Sequence, residues 1–208
     1  NISHGIYSPM VNVFEVIVNI DIFNTDKRYS VIYADPPWTF ETYSEAGGDR
    51  SPDYKVMTLE DIKNLPIKKI AAPNSILFMW VTFPILDKSF EVMKAWGFEY
   101  KTCAFTWVKT NKTANLKALD VDKDIRMNLG YYTRANAELC LLGRRGKTLE
   151  RKDKGVRQVI ISQQREHSRK PDEAYDRIER LFDGPYLEMF ARTQRPGWDV
   201  FGNQIDKF

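Results

Sequence analysis

Ser30-Val31-Ile32-Tyr33-Ala34-Asp35-Pro36-Pro37-Trp38 is a short apolar run that ends on an acid, two prolines and an indole. The run Ser30 to Ala34 has the length and β-branched content of an interior strand. Two consecutive prolines lock φ and remove two backbone donors, leaving carbonyls that can only accept. A carboxylate beside a proline carbonyl is a rigid acceptor pair, suited to gripping both hydrogens of an amine. Trp38 adds a flat face of the kind a base needs once it leaves its stack. Asp35-Pro36-Pro37 alone fits two readings, a binding site or a strand ending in a capped proline turn. The strand before it and the tryptophan after it favour the site.

Further apolar runs spread outward from this strand. Ile76 to Val81, Cys103 to Val108, Glu138 to Leu142, Val156 to Ile161 and Tyr186 to Ala191 read as strands, with Val11 to Ile20 and Trp198 to Phe201 as weaker ones. Helices alternate with them. Thr58 caps Leu59 to Leu65, Ile85 to Trp96 stops at Gly97, and Pro171 to Phe182 opens on proline and two acids. Continuous rather than alternating apolar runs predict an α/β fold whose central sheet is mostly parallel, with helices on both faces. Ligands in such folds sit beyond the carboxyl ends of the strands. The polar stretches 41–55 and 111–134 interrupt the rhythm and are expected to be active-site or substrate loops. A chain of 208 residues fits one domain, with residues 1–10 read as a terminal extension.

Composition narrows the setting. Cys103 and Cys140 both fall in strand-like runs, so no disulfide framework is expected and a reducing, intracellular setting is (the cytoplasm, for a prokaryotic or phage protein). His4 and His167 cannot form a zinc site with cysteines so placed. No apolar stretch reaches membrane-spanning length. The net charge is only +3, yet Arg144 to Arg157 carries seven cations against two acids. Because it begins where the run Glu138 to Leu142 ends, this segment is expected on the pocket's side, with Arg145, Arg151 and Lys152 holding phosphates.

These motifs, in order, resemble the MT-A70 family of adenine methyltransferases. The resemblance rests on Tyr33-Ala34-Asp35-Pro36-Pro37-Trp38, Leu77-Phe78-Met79-Trp80-Val81-Thr82, Trp107-Val108-Lys109-Thr110-Asn111 and Arg134-Ala135-Asn136-Ala137-Glu138. It continues through His167-Ser168-Arg169-Lys170-Pro171-Asp172-Glu173, Leu187-Glu188-Met189-Phe190-Ala191-Arg192 and the closing Pro196 to Gln204. It implies a Rossmann-like methyltransferase fold using S-adenosyl-L-methionine, giving S-adenosyl-L-homocysteine, and needing no metal. By match to the family motif, Asp35, Pro36, Pro37 and Trp38 are catalytic, and Lys170 holds the methionine carboxylate. Glu188 and Arg192 lie near the ribose, Asn203 and Gln204 meet adenosine, and Asp21 and Ile22 take the place of adenine recognition. Tyr54, Trp80, Trp107, Lys109 and Glu138 shape the target pocket, although indoles inside apolar strands are usually core.

The reaction so implied is methyl transfer to the N6 amine of adenine in DNA, with RNA as the alternative substrate. A catalytically silent nucleic-acid-binding subunit is a third reading, against which Asp35 to Trp38 and Lys170 are intact. The partners expected are nucleic acid and either a second copy or a homologous subunit. No membrane is expected.

Overall fold

The computed structural model describes residues 19–39, 56–166 and 168–208. Seven strands form one sheet: β1 (Tyr29–Ala34), β2 (Ala71–Val81), β3 (Glu99–Thr110), β4 (Ala137–Arg145), β5 (Val159–Gln163), β6 (Tyr186–Met189) and β7 (Trp198–Phe201). Their order across the sheet is β5-β3-β4-β2-β1-β6-β7. The helices are α1 (Leu59–Lys63), α2 (Ile67–Ile70), α3 (Leu86–Ala95), α4 (Val121–Asp124) and α5 (Asp172–Leu181). None is long and apolar enough to cross a membrane.

The sheet is mixed, which corrects the expectation of a mostly parallel one. β1 lies parallel to β2 and β6, and the pairs β6–β7 and β3–β5 are parallel too. β4 runs antiparallel to both of its neighbours, β2 and β3. Its residues Cys140 and Leu141 are buried on opposite faces, in different core clusters. A strand covered on both faces has the same apolar pattern whichever way it runs, so the pattern carried no sign of the reversal.

Alternation along the strands splits the core in two. Ile32 and Ala34 of β1 join Leu77 and Met79 of β2 against Ile62 of α1, Ile67 of α2 and Val92 of α3. Val31 and Tyr33 join Ile76, Phe78 and Trp80 against Ala174, Tyr175 and Ile178 of α5. The period-2 pleat sends neighbouring residues to opposite faces, and helices cover both. The Thr58 hydroxyl accepts the Asp61 amide, capping α1 as expected, and Gly97 takes a left-handed φ of 84° after α3.

The segment 111–134 contains α4 and is pinned by a Thr110–Ile125 bridge. The stretch 41–55, with Tyr54, lies outside the described residues, as do His4 and His167. Of Val11 to Ile20 only the end is described, where Asn19 pairs with Val200 of β7. Cys140 is buried, but Cys103 is partly exposed.

Candidate active site

Four charges of alternating sign meet at one end of the sheet. Asp35 follows β1, Lys109 lies near the end of β3, Glu138 near the start of β4, and Lys170 just before α5. The reversal of β4 puts its first residues at the end where β1, β2 and β3 finish: Glu138 pairs with Trp107, and Leu139 with Val81. Lys170 Nζ is 2.8 Å from an Asp35 oxygen and 3.3 Å from Glu138 Oε2. Lys109 Nζ donates to the other Glu138 oxygen.

Burial works against each of these charges, and their mutual attraction overcomes it. Desolvation would raise the Glu138 carboxyl, but Lys170 and Lys109 bring it down to about 2. Desolvation would lower Lys170, but Asp35 and Glu138 hold it above the ordinary lysine value. The aromatic floor adds to this. The Lys109 ammonium lies 4.4 Å from the Trp107 ring centroid, and Lys170 lies 5.6 Å from that of Trp80. Arg165 fixes the turn that carries Lys170, donating to its carbonyl at 2.7 Å while bridging Asp172 at 2.6 Å.

A cleft opens beside this chain of charges, lined in part by Tyr33, Asp35, Lys170, Tyr175, Glu188 and Arg192. Glu188 of β6 is buried, with Oε1 accepting from the Tyr175 hydroxyl at 2.8 Å. Its Oε2 is buried without a hydrogen-bond partner. Desolvation, with Asp35 adding to it, pushes the Glu188 carboxyl up to about 8 against the opposing Tyr175 bond. The cleft therefore offers a buried cation for a carboxylate and an open carboxyl oxygen for a hydroxyl. That donor set fits an amino-acid nucleoside such as S-adenosylmethionine.

The aromatic candidates are tied into the fold by their indole nitrogens. Trp38 is buried, its amide donates to the Pro36 carbonyl at 2.9 Å, and its indole donates to the Trp80 carbonyl at 3.1 Å. The Pro37 carbonyl accepts from Met57 at 3.0 Å. Trp80 donates to the Tyr33 hydroxyl at 2.6 Å and Trp107 to Ser162 at 2.8 Å. These indoles hold the strand ends and support the two lysines, in keeping with the ordinary fate of indoles in apolar strands.

Asp21, Ile22, Asn203 and Gln204 are not among the residues lining the cleft. They share one edge all the same. Ile20 donates to the Val200 carbonyl at 2.8 Å, so the segment carrying Asp21 and Ile22 runs beside β7, from which Asn203 and Gln204 follow. Ile22 is fully buried, whereas the Asp21 carboxylate accepts the Phe23 amide.

The basic run is misplaced by the sequence reading. Arg145 pairs with Ser75 and Leu139 with Val81, so the C-terminal end of β4 lies at the opposite end of the sheet from Asp35. Six residues of strand amount to about 20 Å. Arg145 donates to the Lys68 carbonyl at 2.6 Å and the Ala71 carbonyl at 3.3 Å, and Lys152 is paired with Asp183 at 2.6 Å. The expectation failed because it followed from strand direction, which apolar pattern does not report.

Sequence reasoning missed Tyr33 and Tyr175 as cleft residues. Tyr175 carried a signal only as an apolar position on α5. Its hydroxyl partner, Glu188, lies on another element.

A mixed α/β sheet with a charged cleft at its strand ends belongs to the broad class of folds that bind nucleotide-like cofactors. The MT-A70 family model matches residues 29–204. The chain is 34% identical over 198 residues to the type II methyltransferase M.MunI of Mycoplasma sp, a match covering 86% of this chain and 78% of that protein. It is 31% identical over 188 residues to the human N(6)-adenosine-methyltransferase catalytic subunit METTL3, covering 86% of this chain and 28% of that protein. It is 29% identical over 191 residues to the N(6)-adenosine-methyltransferase MT-A70-like protein of Arabidopsis thaliana, covering 25% of it. The chain thus spans about a quarter of the adenosine-modifying relatives and most of the type II enzyme. The chain belongs to the MT-A70 family of adenine N6-methyltransferases, whose cofactor is S-adenosylmethionine.

Proposed function

We propose that this protein transfers a methyl group to the N6 amine of adenine in DNA, from a Rossmann-like methyltransferase fold in which β4 is the reversed strand. The observation that carries the reading is the cleft itself, where Asp35, Lys170 and the open oxygen of Glu188 meet. Bound there, the cofactor supplies a sulfonium methyl as the electrophile.

Lys170 holds the cofactor carboxylate, and Glu188 takes a ribose hydroxyl at Oε2. Arg192, Asn203, Gln204, Asp21 and Ile22 complete the cofactor's surroundings. Asp35, with the second lone pair of the Pro36 carbonyl, accepts from the target amine. That amine is a poor nucleophile because its lone pair is conjugated with the ring. Two acceptors favour a pyramidal nitrogen and stabilise the positive charge that develops as the methyl arrives, which is electrostatic preorganisation. Positioning both reactants in line contributes the rest. The proton of the alkylated amine leaves to solvent after transfer, so Asp35 need not be a base beforehand.

DNA is supported over RNA by extent. The match covers 78% of the type II methyltransferase but only 28% of the human adenosine enzyme. The human relative is named a catalytic subunit, which supports a second copy or a homologous subunit as partner. Labelled methyl transfer to matched DNA and RNA oligonucleotides, followed by nucleoside analysis, tests the reading. N6-methyladenine in DNA is the expected product. Label in RNA alone overturns the substrate, and label in neither overturns the activity.

A further inference from the structure

Four of the most exposed large apolar side chains of the described residues gather on one loop tip. Met127 is 67% exposed, Leu129 64%, Tyr131 79% and Tyr132 93%. The tip belongs to the β3–β4 connection and is held at its base. Arg126 N donates to the Lys109 carbonyl at 2.9 Å, Lys109 N to Asn136 at 3.2 Å, and Asn128 N to Ala135 at 2.8 Å. Within it, Thr133 N donates to the Tyr131 carbonyl at 2.8 Å, and a Cβ on Gly130 would collide with the Thr133 carbonyl. The tip is therefore a shaped turn.

Its place follows from the strands. Lys109 at its base is bonded to Glu138, so the tip rises from the same end of the sheet as the cleft. Six residues separate Tyr132 from Glu138, a reach of at most about 20 Å, or roughly six stacked bases of one strand. Tyr132 holds φ at 65°, a conformation costly for a bulky residue, and its exposed ring gains no core packing in return. The two tyrosine rings meet edge to face at 4.9 Å. Exposed Arg126 and Arg134 flank them, and no acid lies between Ile125 and Asn136.

We propose that the Tyr131–Tyr132 tip is a stacking wedge for the nucleic-acid bases beside the target adenine, with Arg126 and Arg134 on the adjoining phosphates. The proposal rests on the adenine-methylating reading. A base leaving its stack exposes the faces of its neighbours, and aromatic rings replace the lost stacking whatever the sequence. A turn that carries two π faces between cations, with no acid in its own sequence, complements a strand of bases and phosphates better than it does an apolar protein face.

The test uses the full chain and fluorescein-labelled DNA oligonucleotides containing adenine, with binding followed by anisotropy across a salt series. Stacking on an aromatic side chain is worth about 5–150-fold in affinity per base. Tyr131→Ala/Tyr132→Ala is expected to raise the Kd about tenfold or more with the salt slope unchanged. Tyr131→Phe/Tyr132→Phe keeps the ring faces and is expected to stay within about twofold of wild type. Arg126→Gln/Arg134→Gln is expected to flatten the slope by up to ~0.9 per lost contact on a duplex. Affinity for S-adenosylhomocysteine should be the same in all of them, which shows that the fold is intact. Wild-type DNA affinity in the alanine variant overturns the wedge. So does a change in sedimentation mass without a change in DNA affinity, which would make the tip a contact between copies. If wild-type protein binds DNA through the tip yet methylates no oligonucleotide, the wedge stands and the proposed activity fails.

Discussion

Asp35 and Lys170 face each other at 2.8 Å, yet the proposed chemistry asks different things of them. Asp35→Ala removes a preorganised charged acceptor. It should cost at least ~2.7–4 kcal/mol of transition-state stabilisation, a factor of about 10²–10³ in turnover, with cofactor affinity largely kept. Near wild-type turnover would sink the mechanism. Asp35→Asn keeps one acceptor and should retain some activity. Lys170→Ala should instead raise the cofactor Kd about tenfold or more, read by calorimetry with S-adenosylhomocysteine. It also leaves Asp35 and Glu138 without the cation between them, so melting temperature should fall in the same variant. Unchanged affinity would reduce Lys170 to a structural cation. Glu188 makes a prediction about pH. Burial lifts its carboxyl to about 8 in the folded protein, against 4.5 when free. The native state therefore holds this proton where the unfolded chain has lost it, and Glu188 costs stability progressively as pH rises from about 4.5 to about 8. Glu188→Gln should remove that slope. The check is the difference between wild-type and variant unfolding free energies across the range, and a flat difference would rule out the raised carboxyl.

At the scale of elements, strand direction sets where side chains go. β4 delivers Glu138 to the cleft because it runs against its neighbours, and the same reversal carries Arg144 and Arg145 away. The edge formed by β6 and β7 is equally dependent on backbone contact. Ala191 N donates to the Phe201 carbonyl at 3.0 Å, and a Cβ on Gly202 would collide with the backbone of Ala191. Gly202 thus lets the end of β7 lie close beside the segment leading to Arg192, just ahead of Asn203 and Gln204. Gly202→Ala should force these strand ends apart at a cost of about 1–3 kcal/mol. For a chain of this size that is a fall in melting temperature of roughly 2–4 °C per kcal/mol. Cofactor affinity should weaken in the same variant while Asp35 is untouched. A variant as stable as wild type, with wild-type affinity, would show that the close approach is not required.

On the scale of the whole molecule, the two ends of the sheet have separate characters. One end gathers the Asp35–Lys170–Glu138–Lys109 chain and the cleft. The other holds the start of the basic run, some of it already spent on Lys68, Ala71 and Asp183. Neutralising Arg145, Arg151 and Lys152 together should leave the binding of a short oligonucleotide of about three bases, roughly 10 Å when stacked, unchanged in both affinity and salt slope. Only a longer nucleic acid could reach from one end of the sheet to the other. If the triple variant binds the short oligonucleotide more weakly, the run takes part in the site after all. Arg145→Gln alone should lower thermal stability, because it strips two carbonyls of their partner.

Most strands, the three longer helices and the Asp35-Pro36-Pro37-Trp38 block were legible because their signals are local. Apolar runs, a threonine cap and a terminal glycine act over a few residues, and a motif in order along the chain shows the family. The same local signals could not show that β4 turns back between β2 and β3, since burial on both faces looks alike in either direction. Nor could they show that Lys170 closes on Asp35 across 135 positions of sequence, or that Tyr175 hydrogen-bonds Glu188. Nor could they show that the Trp38 indole is buried and donates to the Trp80 carbonyl. Residue types and their order along the chain name the groups able to do the chemistry. Which of those groups meet follows from folding, because charge pairing, desolvation and strand direction depend on what lies alongside in space.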